Sequence, residues 1–189
     1  AAIANKTKDA DIVIVTDFGH GLISPKIIEY LCNNAPFLAL NAQTNAGNHG
    51  FNLATRYPKV DFLCIDAPEA RLAVSDKYAD MSTLVTDLLP QKIDGSYFMV
   101  THGHHGCVTY ERESGTVHKI PAITDKVVDT VGAGDAFFAV AAPLVRASGS
   151  VELAGFLGNV AGAIQVGIIG HRKAVDKATL IKFVTAILK

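Results

Sequence analysis

The sequence predicts a three-layer α/β fold with a mainly parallel sheet and an antiparallel hairpin at the sheet edge. Three observations carry this. Short β-branched or aromatic runs alternate with helical patterns from residue 11 to residue 101, as strands joined by right-handed helical crossovers do. Two closely spaced strand-like runs follow between residues 107 and 120, the pattern of a hairpin. The last third then reads as helix.

Taken in order, Asp11-Ile12-Val13-Ile14-Val15-Thr16 is a β-branched run suited to a strand buried on both faces. Ser24-Pro25 supplies a capping residue and a proline at the first helical position, ahead of an amphipathic stretch over 26–33. Phe37-Leu38-Ala39-Leu40 is a second strand and Asp61-Phe62-Leu63-Cys64-Ile65 a third. A helix over 81–89 leads into the fourth, Tyr97-Phe98-Met99-Val100-Thr101. Cys107-Val108-Thr109-Tyr110 and Thr116-Val117-His118-Lys119-Ile120, joined through Glu113-Ser114-Gly115, make the hairpin. Helices are expected over 133–147, 151–166 and 176–188. No repeat, low-complexity tract or linker breaks the chain, so residues 1–189 are expected to form a single α/β domain.

Composition narrows the function classes. Apolar residues make up 49% and charged residues 19% of the chain, which excludes a disordered protein. Lys and Arg number 17 against 18 Asp and Glu, so the clustered positive charge of a general nucleic-acid or membrane-surface binder is lacking. No apolar run approaches the ~20 residues that span a bilayer. The opening Ala1-Ala2-Ile3-Ala4-Asn5-Lys6 has no charged head or apolar centre of a secretory leader, and the missing Met points to a piece of a longer protein. Cys32, Cys64 and Cys107 are odd in number and far apart, with no C-x-x-C pair, so neither disulfides nor a structural zinc site is expected. A reducing cytoplasm suits them.

Open α/β sheets bind ligands at the carboxyl ends of their strands. The segments that fall there, 17–21, 41–50, 66–69, 101–106 and 129–135, are all rich in polar residues or glycine. The most informative is Asp129-Thr130-Val131-Gly132-Ala133-Gly134-Asp135-Ala136-Phe137. Two glycines open a helix, so backbone N–H groups can approach an anion closely, aided by the helix dipole. Asp135 in the first turn can take a proton from an attacking hydroxyl. Read alone, the same residues also describe a tight turn with an acidic first helical turn.

The longer string resembles the D-T-x-G-A-G-D-x-F signature of the ribokinase-like (PfkB) carbohydrate kinases at every fixed position. The resemblance implies that Asp135 is the catalytic base, that Gly132, Ala133 and Gly134 form the anion hole for the γ-phosphoryl group, and that Thr130 lies at the nucleotide. It places a monovalent cation such as K⁺ at Asp129 and the carbonyl of Val131. Asp66-Ala67-Pro68-Glu69 matches the family's N-x-x-E at Glu69, with Asp66 in place of Asn, and would organise Mg²⁺; by itself it is equally a helix capping box. Thr16-Asp17-Phe18-Gly19-His20-Gly21 is similar to the S-D-Y-G-K-G segment of the heptose-7-phosphate kinases (the kinase domain of ADP-heptose synthases), which puts Asp17 near phosphate or acceptor. His20 replaces a lysine there, and the segment also reads as a plain strand-to-helix turn.

Three further segments keep alternatives open. Asn41-Ala42-Gln43-Thr44-Asn45 stands where heptose kinases tend to show D-P-K; the polar stretch 41–52 is a diverged substrate loop or a solvated connection. Thr101-His102-Gly103-His104-His105-Gly106 matches a nucleotide-contacting T-x-G-x-x-G turn at Thr101, Gly103 and Gly106. Its imidazoles also partly resemble the zinc-binding run of metallo-β-lactamase hydrolases, or simply face solvent. Gly158-Asn159-Val160-Ala161-Gly162-Ala163 is explained by small-residue packing, while the resemblance puts Asn159 beside adenine and wraps 167–170 around the base or a cation.

The resemblance spans the chain as the C-terminal part of a family kinase, without the N-terminal portion that bears the sugar-binding Asp and the β lid. A G-x-x-x-x-G-K-S/T loop is absent, so phosphate must be gripped at the 132–135 helix start. The implied activity is ATP- and Mg²⁺-dependent phosphorylation of a sugar or sugar-phosphate hydroxyl. The alternatives are a nucleotide-binding module without turnover, or a metallohydrolase on His102, His104 and His105. A homodimer and fusion to a further domain are both compatible with this reading.

Overall fold

Strands β1 (Val13–Asp17), β2 (Leu38–Ala42), β3 (Phe62–Asp66) and β4 (Tyr97–Thr101) pair in parallel, in chain order. The antiparallel strands β5 (Cys107–Glu111) and β6 (Thr116–Ile120) complete a six-stranded sheet. This computed structural model describes residues 2–124, 126–170 and 172–189. Because strand order follows chain order, right-handed crossovers put the connecting helices on one face.

That face carries α2 (Pro25–Asn34), α3 (Ala67–Val74), α4 (Met81–Thr83) and α5 (Leu89–Lys92), with a 3₁₀ turn at Ala54–Arg56. Leu38, Leu40, Leu63, Ile65, Phe98 and Val100 point into it and meet Ile28, Leu31, Leu84 and Leu89. The alternate residues Ala39, Phe62, Cys64 and Met99 face the other way, onto α6 (Ala133–Ser148) and α7 (Val151–Gln165). Strand alternation thus builds two cores on one sheet, giving three layers. In α7 the glycines are contact points: a Cβ at Gly158 would lie 2.8 Å from the Phe137 ring, and one at Gly155 would lie 2.4 Å from Ile120 Cδ1.

Two expectations are corrected. β1 is an edge strand with only Val15 and Asp17 buried, and Ile14 is 42% exposed, so it is not covered on both faces. The α6–α7 layer centres on β3–β5, and no residue of β1 belongs to the core on that side. The helix expected over 81–89 runs on to Lys92 through a π-helical stretch, Leu84–Leu88. Pro90 lacks the N–H and the clearance for a regular helical turn, and the wider turn before it accommodates that. A first helix, α1 (Ala2–Lys8), packs near α2, with the Tyr30 hydroxyl donating to the Ala4 carbonyl at 3.5 Å. The last helix, α8 (Lys177–Ile187), has no buried residue.

Candidate active site

The start of α6 is held by hydrogen bonds that run to the end of α7. Asp129 Oδ1 accepts from the Val131 N–H (3.0 Å) and Oδ2 from the Gly170 N–H (2.7 Å). The Val128 and Asp129 N–H groups both donate to the Val166 carbonyl. Gly132 then turns with φ +78°, a left-handed conformation that favours glycine, and caps the helix. The Ala133 N–H donates to the Thr130 carbonyl at 3.2 Å. Helix geometry leaves the next two amides, of Gly134 and Asp135, without an intrahelical acceptor. At Gly134 nothing lies within 4 Å of where a Cβ would stand. A backbone surface facing open space is what close approach of an anion requires.

Across from this helix start lies the β4–β5 turn. Gly106 has φ +86°, and a Cβ there would sit 2.0 Å from the Ile120 carbonyl oxygen. The turn therefore presses against the chain leaving β6. Asn159 on α7 fixes the same stretch, donating from Nδ2 to the Pro121 carbonyl at 3.1 Å. Between these elements opens a cleft of about 340 Å³. Thr101, Gly103, Gly106, Thr130, Ala133, Gly134, Asn159 and Asp66 line it, with Val127, Phe137, Ala163 and Val166 as apolar wall. A largely apolar cleft that also reaches the Gly134 backbone suits a flat base against its apolar wall and phosphates at the helix start.

Asp135 and Gly132 line a second cleft of about 360 Å³, on whose wall Lys173 also lies. The Gly132–Asp135 turn is thus shared between two clefts. Gln43, just past β2, donates from Nε2 to Asp135 Oδ1 at 3.0 Å. Its role is not legible in the sequence, since 92 residues separate the pair.

Asp66 and Glu69 form a full capping box at the start of α3. Asp66 Oδ1 accepts from the Glu69 N–H (2.8 Å) and Glu69 Oε2 from the Asp66 N–H (3.2 Å). Glu69 Oε1 also accepts from the Thr44 N–H at 3.0 Å. Burial, then the neighbouring Asp66 charge, push Glu69 up to about 7. In register, Asp66 at the end of β3 sits opposite Thr101 at the end of β4. This carries Asp66 to the edge of the apolar cleft.

Asp17 lies elsewhere. It is 4% exposed, and its carboxylate accepts from the Gly19 N–H (2.9 Å), the Tyr57 hydroxyl (2.8 Å) and Arg56 Nη1 (3.4 Å). The structure does not bring it to either cleft. His102 and His104 each pack against His105 in tilted ring contacts, with centroids 4.6 and 3.8 Å away. Among the described residues no group of three His, Cys, Asp or Glu is placed to hold a metal. The zinc-hydrolase alternative therefore has no ligand set here.

The profile described as "pfkB family carbohydrate kinase" matches residues 29–178. The chain belongs to this family. It is similar to proteins named "Bifunctional protein HldE". That of Nitrobacter hamburgensis is 26% identical over 169 residues, 89% of this chain and 34% of that protein. That of Bradyrhizobium diazoefficiens is 29% identical over 175 residues, again 89% and 34%. Among solved structures, ribokinase from Thermotoga maritima superposes with a TM-score of 0.75 at 19% identity, covering 96% of this chain and 59% of that one. Arabidopsis thaliana ribokinase complexed with ribose and ATP gives 0.76 at 16% identity, with 97% and 58% covered. The three-layer fold is therefore ribokinase-like. This chain spans about a third of the length of the curated relatives it matches. Among the described residues no helix is long and apolar enough to cross a membrane.

Proposed function

We propose that this chain is the nucleotide-binding, base-bearing part of an ATP-dependent carbohydrate kinase that phosphorylates a hydroxyl of a sugar or sugar phosphate. One observation carries the proposal: the Gly134 and Asp135 amides, left without an intrahelical acceptor, and the Asp135 carboxylate occupy one helix start that borders two clefts. ATP lies in the apolar cleft, with its base towards Asn159 and its γ-phosphoryl at Gly134. The acceptor enters beside Asp135. Asp135 receives the hydroxyl proton as the oxygen attacks, and the first-turn amides and helix dipole stabilise charge spreading over the phosphoryl oxygens. Thr101, Gly103 and Gly106 hold the nucleotide along the turn they form, and Thr130 closes its phosphate end.

Asp66 and Glu69 would hold Mg²⁺. The donor set fits: two neighbouring carboxylates, one of them driven up in pKa by burial and by the other's charge, suit a hard divalent ion that relieves their repulsion. Bound there, the ion supplies charge neutralisation of phosphate oxygens. Asp129, whose carboxylate already ties Val131 to Gly170, would carry a K⁺. The free thiols and the absence of a spanning helix among the described residues suit a cytoplasmic setting.

The test is ADP release by the intact protein against a panel of sugars and sugar phosphates, with and without Mg²⁺. Asp135→Asn is expected to lower turnover about 10²–10⁴-fold, as loss of a general base does, with ATP affinity little changed. ATP binding without ADP release on any acceptor would instead identify a nucleotide-binding module. Unchanged turnover in Asp135→Asn would remove the base.

A further inference from the structure

Asn41, 6% exposed near the end of β2, donates from Nδ2 to the Cys64 carbonyl at 2.8 Å. A carbonyl can only accept, so this bond fixes which way the Asn41 amide faces. Its Oδ1 is turned outward and accepts from Gln43 Nε2 at 2.9 Å. Gln43 must therefore present its NH₂ group, and the second proton of that group reaches Asp135 Oδ1 at 3.0 Å. The Gln43 backbone is pinned as well. Its N–H donates to the Asp17 carbonyl (2.9 Å), and its carbonyl accepts from Asn52 Nδ2 (3.0 Å).

We propose that Gln43 is a positioning residue for Asp135: a neutral relay, polarised by the Cys64 carbonyl and passed through Asn41, occupies Oδ1 and turns Oδ2 to the acceptor hydroxyl. This rests on the kinase reading above. The relay explains why amides stand in this segment. An amide donates to the base without adding charge, whereas a glutamate at 43 would set a like charge beside Asp135. It also assigns the polar segment after β2 to the reaction instead of to a solvated connection. A carboxylate held in one orientation meets the hydroxyl in attacking geometry more often, so the effect belongs to kcat.

Gln43→Met removes the donor at similar volume. In the intact protein it is expected to lower kcat about 10–100-fold with KM for ATP unchanged, because Gln43 is outside the nucleotide cleft. Asn41→Leu should lower kcat in the same direction by releasing the relay, and Gln43→Glu should lower it further than Gln43→Met. A second measurement needs no turnover. In ¹⁵N-edited NMR spectra, Asp135→Ala should shift the Gln43 side-chain amide protons. Wild-type kcat in Gln43→Met, or Gln43 amide resonances indifferent to Asp135→Ala, overturns the proposal. A wild-type protein that phosphorylates no sugar overturns the kinase reading instead, and the amide resonances then decide whether Gln43 holds Asp135.

Discussion

The Tyr57 hydroxyl donates to Asp17 Oδ2 at 2.8 Å, joining a fully buried phenol to a carboxylate at the end of β1. Burial and the Asp17 carboxylate push the phenol well above its usual pKa, so it stays a donor. Asp17 thus anchors the 17–23 turn to the 3₁₀ turn beneath it. Its other two donors, the Gly19 N–H and the half-exposed Arg56, are the remaining compensation for the buried charge. Tyr57→Phe should cost about 1–3 kcal/mol, the range for a buried hydrogen bond to a charged group. For a chain of this size that lowers Tm by roughly 2–4 °C per kcal/mol. ATP affinity should stay unchanged, as isothermal titration would show. Lost affinity at constant Tm would put Asp17 in the nucleotide site after all.

Glu69 gives a prediction with a definite sign. Its folded pKa, about 7, is raised above the ordinary 4.5, so the folded state holds the proton more tightly than the unfolded one. The stability this contributes is present below about pH 4.5 and lost as pH rises through 7. The loss is on the order of 1 kcal/mol once solvent screening is allowed for. Glu69→Gln keeps the capping box and should flatten this slope, raising Tm at pH 8 in the absence of metal. With ATP present, MgCl₂ should raise the wild-type Tm more at pH 8 than at pH 6, because the ion needs the carboxylate. In Glu69→Gln most of that increment should vanish. An equal Mg²⁺ increment in both proteins would place the ion elsewhere.

How much of this was legible follows from how local each signal is. Leu38-Ala39-Leu40 and Phe62-Leu63-Cys64-Ile65 read as buried strands because both of their faces meet helices. The run from Asp11 to Thr16 reads the same way, yet β1 sits at the edge, and nothing in an apolar run tells an edge from a centre. The glycine-opened helix at 132–135 is encoded in consecutive residues and appears where expected. The capping box at Asp66 and Glu69 is local too, and forms as read. Asp17 and Gln43 are the opposite case. What each does depends on Tyr57, 40 residues on, and on Asp135, 92 residues on. No short-range pattern carries those pairings. The π-helical stretch before Pro90 likewise depends on how a proline is accommodated in a packed helix, which spacing alone does not reveal.

The surface helix α8 should be the most acid-sensitive element. Its N-cap, Asp176, accepts from the Thr179 N–H (2.8 Å) and hydroxyl (2.8 Å), with Lys173 Nζ at 3.3 Å. The Thr179 N–H leads the causes that lower Asp176 to about 2. A depressed carboxylate stabilises above its ordinary value of 3.8 and loses that contribution as pH falls through 2. With no buried residue to hold it, α8 should lose amide-exchange protection over that window before the sheet does. Asp176→Asn keeps a capping oxygen without a titrating charge, so the pH step should disappear. Protection that falls equally in both proteins would assign the acid sensitivity to another group.

Gly132 and Gly134 should part company when each is changed to alanine. Gly132 has φ +78°, so a Cβ there costs about 1–2 kcal/mol of left-handed strain and Tm should fall. Gly134 is inside α6, with open space where its Cβ would go, so Gly134→Ala gains roughly 0.5–1 kcal/mol of helix propensity and Tm should rise. Both changes should nevertheless lower turnover, Gly132→Ala by disturbing the turn and Gly134→Ala by placing a methyl group where the phosphoryl oxygens must meet the amides. A protein made more stable and less active by one methyl group separates binding from folding at a single atom. If Gly134→Ala binds and turns over ATP like the wild type, the phosphate is gripped somewhere other than this helix start, and the kinase reading loses the observation it stands on.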